Sequence, residues 1–558
     1  MVRRSHKAWA FAAALLLAGY FVPICFRPLF IPDEPRYGEL AREMVASGDW
    51  IVPRLDGVRY FEKPPLLYWA TGAAISVFGT TAFAVRLTGA LSVALVGWLL
   101  VRAARRAGIG RDAGAWGALV WAGSLLVFAI GSLGVIDSLL SLLLAATLLA
   151  LYEWCTCEDR RRARRALFAC GAAAGLAFLA KGFLAFAVPG VVAVVLLTVE
   201  RRWSRLWRDI WLPLGAIALV VAPWSIAIAL REPDFWRYFF FEEHIKRFAG
   251  EGAHHAEPFW FYVPVLLGGL FPWSLLIPTT AVGLSLTRGA ERGASERSFL
   301  RFLVIWVLAG LAFFSASRGK LPTYVLPLVP PLALLVATGT SRALALGRRK
   351  AFDRGALLIA LVMGLCAVAF PIVNGRLSKP PFRAEQGWEL AALTVALAFW
   401  SFTAFKAARS AVLDWKLAWF AVGPVGLMVA SSFALPARTI EKKLPGAVLA
   451  EATPFVQAAD VVVTDTNMVH AVTWTLRRAD AFALGSQSEL TYGLGYPDAA
   501  HRALDADGVR ALLEARTPGQ AVFVFRKLYD PAVAGEFGAA PTREWAAGMF
   551  LVQEFRAP

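Results

Sequence analysis

Phe30-Ile31-Pro32-Asp33-Glu34-Pro35-Arg36-Tyr37 closely follows the first apolar run of the chain, residues 8–26, and places two adjacent carboxylates and an arginine beside it. If that run crosses a bilayer, these ionised groups lie at a membrane surface, where charge close to lipid needs a reason. The rest of the chain decides the point. Of its 558 residues, 58% are hydrophobic, and the mean hydropathy is +0.57. This composition excludes an ordinary soluble globular class. Many apolar runs approach the roughly 20 residues needed to span a bilayer, so the chain reads as an α-helical polytopic membrane protein.

Thirteen spans are predicted, at residues 8–26, 83–101, 113–131, 138–154, 166–180, 183–199, 210–230, 260–285, 299–316, 322–340, 355–373, 388–405 and 412–434. A net charge of +17 would suggest a nucleic-acid partner in a soluble chain. Here the cations crowd alternate short connections, for example Arg160, Arg161, Arg162, Arg164 and Arg165. The positive-inside rule makes those connections cytoplasmic and removes the need for nucleic acid. Thirteen spans starting inside leave the tail outside. No small-residue cleavage site follows the first run, which therefore reads as an uncleaved anchor. Cys25, Cys155, Cys157, Cys170 and Cys366 all fall in spans or on the cytoplasmic side, so the tail has no disulfide framework.

On this reading residues 1–436 form a transmembrane catalytic domain with long outer loops at 27–82 and 231–259. In the first loop, Tyr37–Ala46 has the spacing of an amphipathic interfacial helix, and Leu66–Phe78 that of a second, short helix. The second loop is aromatic, then charged through Glu242–Arg247, and its glycines Gly250 and Gly252 suit a segment that orders over a substrate. From residue 437 to 558 the apolar runs shorten to strand length, as in Val461–Thr464 and Ala521–Phe525. Helical patterns at Ala471–Arg478 and Val509–Ala515 alternate with them, which predicts an outer α/β domain. It contains no phosphate-binding glycine motif.

Several residues stand out as chemistry. Asp33 and Glu34 lie between prolines, which predicts an extended backbone. Asp137 sits in a tight outer turn at the bilayer edge, where a carboxylate is usually paired or functional. Lys63 precedes Pro64-Pro65, which stiffens the loop around it. Arg247, Arg318 and Lys320 can form an anion-binding set, while Lys181 reads as a snorkelling lysine. Glu62 with His244 allows a divalent metal such as zinc, although no HExxH spacing is present. Charged, membrane-level groups of this kind suit lipid-linked substrates. A transporter would show paired halves or broken helices near the midplane, and neither is evident in the sequence.

The run Phe30–Met44, with Gly48-Asp49-Trp50 and Phe61-Glu62-Lys63-Pro64-Pro65-Leu66-Leu67-Tyr68-Trp69, carries a family likeness. Asp137-Ser138, Ala180-Lys181-Gly182 and Ser317–Tyr324 support it. The chain resembles the GT-C membrane glycosyltransferases related to protein O-mannosyltransferases. More closely, it is similar to the lipid A 4-amino-4-deoxy-L-arabinose transferases of Gram-negative bacteria. The resemblance covers nearly the whole chain and implies transfer of that sugar from undecaprenyl phosphate to a lipid A phosphate, which would confer polymyxin resistance. It also implies a multi-pass protein of the bacterial inner membrane, with active site and tail domain periplasmic. Asp33 and Asp137 match the family's catalytic aspartates, and Lys63 and Arg247 match positions near the carrier phosphate. Glu34, Arg36, Tyr37, Arg318, Lys320 and Tyr324 complete the candidate substrate-binding set, and no cofactor is required. Two other readings stay open: transfer of another sugar, such as mannose or galacturonate, to protein or lipopolysaccharide core, and a lipid-linked sugar flippase.

Overall fold

The computed structural model describes residues 6–109, 111–246, 257–285, 293–485, 488–527 and 537–557. The apolar runs fold as helices because only a helix satisfies its own backbone in lipid. Among the described residues, ten helices are individually long and apolar enough to cross a membrane, from Lys7–Phe26 to Leu413–Ala430. These include α1 (His6–Phe26), which is followed by α2 (Asp33–Ser47), the hairpin β1 (Arg54–Leu55) and β2 (Val58–Arg59), and α3 (Leu66–Phe78). Next come α4 (Ala82–Arg106), α5 (Arg111–Ala122), α6 (Leu125–Gly131), α7 (Ile136–Thr156), α8 (Arg160–Lys181) and α9 (Leu184–Val199). The predicted span 183–199 corresponds to α9, whose 16 residues extend only about 24 Å at 1.5 Å per residue.

Two predicted spans are broken rather than straight. Residues 112–122 and 125–131 meet at 64°, and Tyr262–Gly269 meets Trp273–Ser285 at 95°. Broken helices, not expected from the sequence, are thus present. Gly123-Ser124 interrupts one helix and Pro272 the other, and the two breaks lie together. The Leu125 N–H freed at the first donates to the Phe271 carbonyl at the second, 3.0 Å away.

The first loop also departs from expectation. α2 begins at Asp33, so Asp33 and Glu34 are helical, not extended. Pro35 falls in the first turn, where a helix needs no N–H from it. The helix stops at Gly48, whose φ of 71° suits glycine and whose N–H donates to the Met44 carbonyl. Nor is α2 interfacial: residues Tyr37 to Met44 are all buried. A Cβ on Gly38 would lie 3.0 Å from the Trp474 ring and 3.1 Å from Val85, so α2 is sandwiched between α4 and the tail domain.

That tail domain holds a mixed sheet of β3 (Val461–Asp465), β4 (Phe482–Leu484), β5 (Ala503–Leu504), β6 (Ala521–Lys527), β7 (Arg543–Ala547) and β8 (Phe550–Arg556). The order is β5-β4-β3-β6-β8-β7, with β3 parallel to β4 and β6, and β8 antiparallel to both β6 and β7. Met468 and Val472 cover one face, and Val509 and Leu513 the other. Ile31, from the segment before α2, enters the first of these cores. Its N–H also donates to the Lys443 carbonyl. The tail domain is thus docked directly over the loop that carries Asp33.

Candidate active site

The first turn of α2 sends its two carboxylates opposite ways. Glu34 points inward and is only 1% exposed. It meets Arg86 of α4 in a bidentate pair at 2.6 and 2.8 Å. It also accepts from the N–H groups of Phe30 and Gly134, both at 3.0 Å. Burial alone would raise the Glu34 carboxyl, but Arg86, Arg27 and the Phe30 N–H outweigh it and hold it below the ordinary range. Glu34, placed by sequence in the substrate-binding set, lies in a buried pair that pins α2 to α4 and to the turn that launches α7.

Asp33 points outward, with its side chain 55% exposed. Arg36, one turn on, donates to it at 2.5 Å. Asp137, the second residue of α7, is held instead by Lys181, the last residue of α8, also at 2.5 Å. Each candidate catalytic aspartate therefore has its own cation. The Lys181 ammonium also lies 5.2 Å from the centre of the Tyr324 ring. Lys181 is thus part of the site rather than a snorkelling lysine, and its cue in the sequence is a lone cation ending an apolar run opposite an edge aspartate.

Tyr37 joins the two halves. Burial pushes its hydroxyl above the ordinary phenol range, and that hydroxyl feels Arg36, Asp137, Asp33 and Lys181. It therefore stays a neutral donor among them. Tyr37 stacks on Tyr68, with ring centres 6.3 Å apart, and Tyr60 meets Tyr68 edge-on. Tyr60 in turn donates to Glu62 at 3.3 Å. Asp33, Arg36, Tyr37, Asp137, Lys181 and Tyr324 thus form one electrostatic neighbourhood, walled by tyrosines.

The other predicted residues divide. Lys63 donates to the Glu62 carbonyl at 2.8 Å and stays partly exposed near this wall. Arg318 is exposed. Lys320 is 4% exposed and donates to the carbonyls of Glu257 and Ser317. These two backbone acceptors engage the ammonium of this predicted substrate-binding residue and tie one loop to the next. Arg247 and the side chain of His244 lie outside the described residues, so the predicted Glu62–His244 pair is described only at Glu62, which is engaged by Tyr60 and Lys63.

A different set has metal-ligand spacing among the described residues: Glu39, Glu43 and Asp56, all buried. Resident cations already face it. Arg42 grips Glu39, at 2.5 Å for the closer contact, and His470 reaches Asp56 at 2.7 Å. Burial, with Glu39 and Asp56 beside it, pushes the Glu43 carboxyl well above its ordinary range. The set reads as a neutralised interior network. Asp56 reaches it from the tip of the β1–β2 hairpin, where Asp56 and Gly57 both have positive φ. An Asp-Gly pair between short alternating stretches is a strong hairpin cue. The contacts of that hairpin with His470 have no local cue.

The tail domain also seals the start of the second loop. Arg59 bonds Glu232 at 2.9 Å and Asp498 at 2.8 Å and lies over the Tyr496 ring. Tyr492 and Tyr496 both donate to Asp234. Phe61 packs against Phe235 and Tyr492.

Comparison with known proteins agrees with this arrangement. Residues 7–239 match the model of the dolichyl-phosphate-mannose-protein mannosyltransferases, and residues 440–551 that of the C-terminal domain of the arabinosyl transferase ArnT. The undecaprenyl phosphate-α-4-amino-4-deoxy-L-arabinose arabinosyl transferase of Serratia proteamaculans is 38% identical, covering 93% of each chain. That of Aeromonas salmonicida is 36% identical over 96% of this chain and 95% of its own. The crystal structure of ArnT from Cupriavidus metallidurans bound to undecaprenyl phosphate superposes with a TM-score of 0.82 at 26% identity, covering 99% of this chain and 100% of that one. Likeness at this level over nearly the full length, with the helical membrane domain and the docked α/β tail both matched, means that the chain belongs to the undecaprenyl phosphate-α-4-amino-4-deoxy-L-arabinose arabinosyl transferases, a family of membrane glycosyltransferases.

Proposed function

We propose that this enzyme transfers 4-amino-4-deoxy-L-arabinose from undecaprenyl phosphate to a phosphate of lipid A at the periplasmic face of the bacterial inner membrane. The observation that carries the reading is the single neighbourhood of Asp33, Arg36, Tyr37, Asp137 and Lys181 beneath the tail domain. A phosphate acceptor has a second pKa of about 6 and is largely dianionic at neutral pH, so it needs no general base. Its oxygen attacks the anomeric carbon, and the bond from that carbon to the undecaprenyl phosphate oxygen breaks. Asp33, half-exposed, faces the sugar ammonium and orients it. Cations meet the charge that grows on the departing phosphate. Lys181 is placed for this by Asp137, and Lys63, Arg247 and Arg318 are the further candidates. The product carries a cationic sugar in place of bare phosphate charge, which weakens attraction for polymyxin and cationic peptides.

Purified enzyme given the lipid-linked sugar and lipid A should yield lipid A heavier by one aminopentose residue in mass spectrometry. Movement of label across vesicles with no change in either lipid's mass would instead indicate a flippase. The broken helices leave that alternative physically sensible, and the mass shift decides it. The proposed chemistry runs on the chain's own cations, so a chelator should leave transfer intact; loss restored by zinc would favour a metal held by Glu62 and His244.

A further inference from the structure

The membrane-level site is wired to the tail domain by a single file of alternating charges. Asp33 accepts from Arg36 at 2.5 Å, and Arg36 donates with its other terminal nitrogen to Glu489 of the tail at 2.8 Å. The same Glu489 oxygen meets His470 Nε2 at 3.1 Å, and His470 Nδ1 meets Asp56 at 2.7 Å. His470 and Asp56 are 2% and 1% exposed. Every inner member lies between two groups of opposite charge, so none can turn without breaking a contact on each side.

The ring of His470 fixes its own charge. A neutral imidazole donates from one nitrogen only, and its other nitrogen would then face a carboxylate lone pair to lone pair. With a carboxylate at each nitrogen, both must carry protons. The surroundings agree: Asp56 comes from the hairpin and Glu489 from the tail, with Arg36 of α2 beyond it. Behind Asp56 stand Glu39, Arg42 and Glu43, while Arg502 donates to the Asp56 backbone carbonyl. Burial favours the neutral ring, but Asp56 and Glu489 outweigh it and lift the imidazole to about 9.

We propose that Glu489 and His470 are positioning residues for sugar transfer: the tail domain uses them to hold Arg36, and through it Asp33, in the orientation that the reacting sugar requires. This gives the tail domain a part in the reaction, and it rests on the reading that Asp33 lies at the reacting centre. On this proposal both act through Arg36 rather than on substrate directly. Their effect passes through a guanidinium whose two ends are gripped by two different domains.

The test uses the full-length enzyme in detergent, with lipid-linked aminoarabinose and lipid A. A fall in turnover on Asp33→Asn establishes the reacting centre independently. Given that, Glu489→Gln should lower kcat by about tenfold to a hundredfold, the range expected when a reacting group is misplaced by about 1 Å, with donor KM little changed. His470→Gln should act in the same direction. The double variant should be no worse than Glu489→Gln alone, because both act on one guanidinium. Wild-type kcat should decline as pH rises through about 9, where the ring loses its second proton, and Glu489→Gln should lack that limb. Thr473→Val is the comparator: Thr473 donates to Asp56 at 2.6 Å on the far side of the network, so its loss should lower the melting temperature and leave kcat unchanged. Wild-type kcat and pH profile in folded Glu489→Gln and His470→Gln would overturn the proposal. So would losses that add in the double variant, or an equal loss of kcat in Thr473→Val.

Discussion

The two ends of α2 carry similar residues and do opposite things. At its start, Asp33 and Arg36 form a pair whose carboxylate is half open to solvent. Two turns later, Glu39, Arg42 and Glu43 lie sealed beneath the hairpin and the tail-domain helix Val469–Leu476, with Asp56 and His470 closing the group. Charge is available at the first end and internally cancelled at the second. Residue type does not separate them; access to water does. A carboxylate open to solvent keeps room for a substrate cation, whereas a buried one must be neutralised by a partner or a proton.

The sharpest break of this comparison lies within one dipeptide. Glu34→Ala leaves the Arg86 guanidinium buried and uncompensated, which should cost about 3–5 kcal/mol. The variant should fail to accumulate as folded, monodisperse protein in detergent. Its neighbour Asp33→Asn should fold as the wild type does. With a lipid A phosphate as acceptor, slow transfer should survive in that variant, since the acceptor arrives ionised. Complete loss would instead assign Asp33 a role in bond-making beyond orientation.

The next largest effect concerns the sealed end. The folded-state pKa of His470 is raised to about 9 from an ordinary value near 6.5, so protonation favours the folded protein. That contribution is fully present below about pH 6.5, amounts to roughly 3 kcal/mol at its largest, and is lost as pH rises through 9. The melting temperature should therefore fall between about pH 7 and 10, and the fall should be much reduced in His470→Gln. A melting curve flat across that range would mean that the ring is neutral and the charge file is broken at its centre.

How much of this is legible in the sequence follows from the range of each force. Apolar runs found the helices, because hydrophobicity acts along a local stretch, and the bounds of α3 fall where Leu66–Phe78 places them. The strands at Val461 and Ala521 emerge for the same reason. Asp33 and Asp137 are recognisable as edge carboxylates with a family match. The orientation of Glu34 is not legible, since it depends on Arg86, 52 residues away. Nor is the occupation of Lys320 by two carbonyls, or the pairing of Asp137 with Lys181 across two helices. Prolines near Asp33 mislead because a first helical turn accepts them as readily as an extended strand does. Electrostatic partners are set by tertiary packing, and a local pattern does not encode them.

The stretch Ser317–Tyr324 repeats the contrast on a smaller scale. Lys320→Met strips a donor from the Glu257 and Ser317 carbonyls and should destabilise by about 1–3 kcal/mol while leaving donor KM unchanged. Arg318→Ala, at an exposed position, should leave the melting temperature unchanged and raise donor KM. A KM effect from Lys320 with no loss of stability would instead place it in the substrate-binding set.

The smallest expected effect is the most discriminating. Burial and the neighbouring Glu39 and Asp56 disfavour the charged form of Glu43, which accepts from the Gly57 N–H at 3.0 Å. Glutamine suits both conditions: its carbonyl still accepts from Gly57, and its amide carries no charge. Glu43→Gln should therefore shift stability by less than about 1 kcal/mol and leave turnover unchanged. The same isosteric exchange at Asp33 should change turnover greatly and stability little. If Glu43 were instead an ionised ligand to a divalent cation with Glu39 and Asp56, Glu43→Gln would destabilise the protein, and a chelator would destabilise the wild type by a comparable amount but spare the variant. Thermal melts of both proteins with and without EDTA separate a shared proton from a shared metal, and with it a cancelled network from a second site.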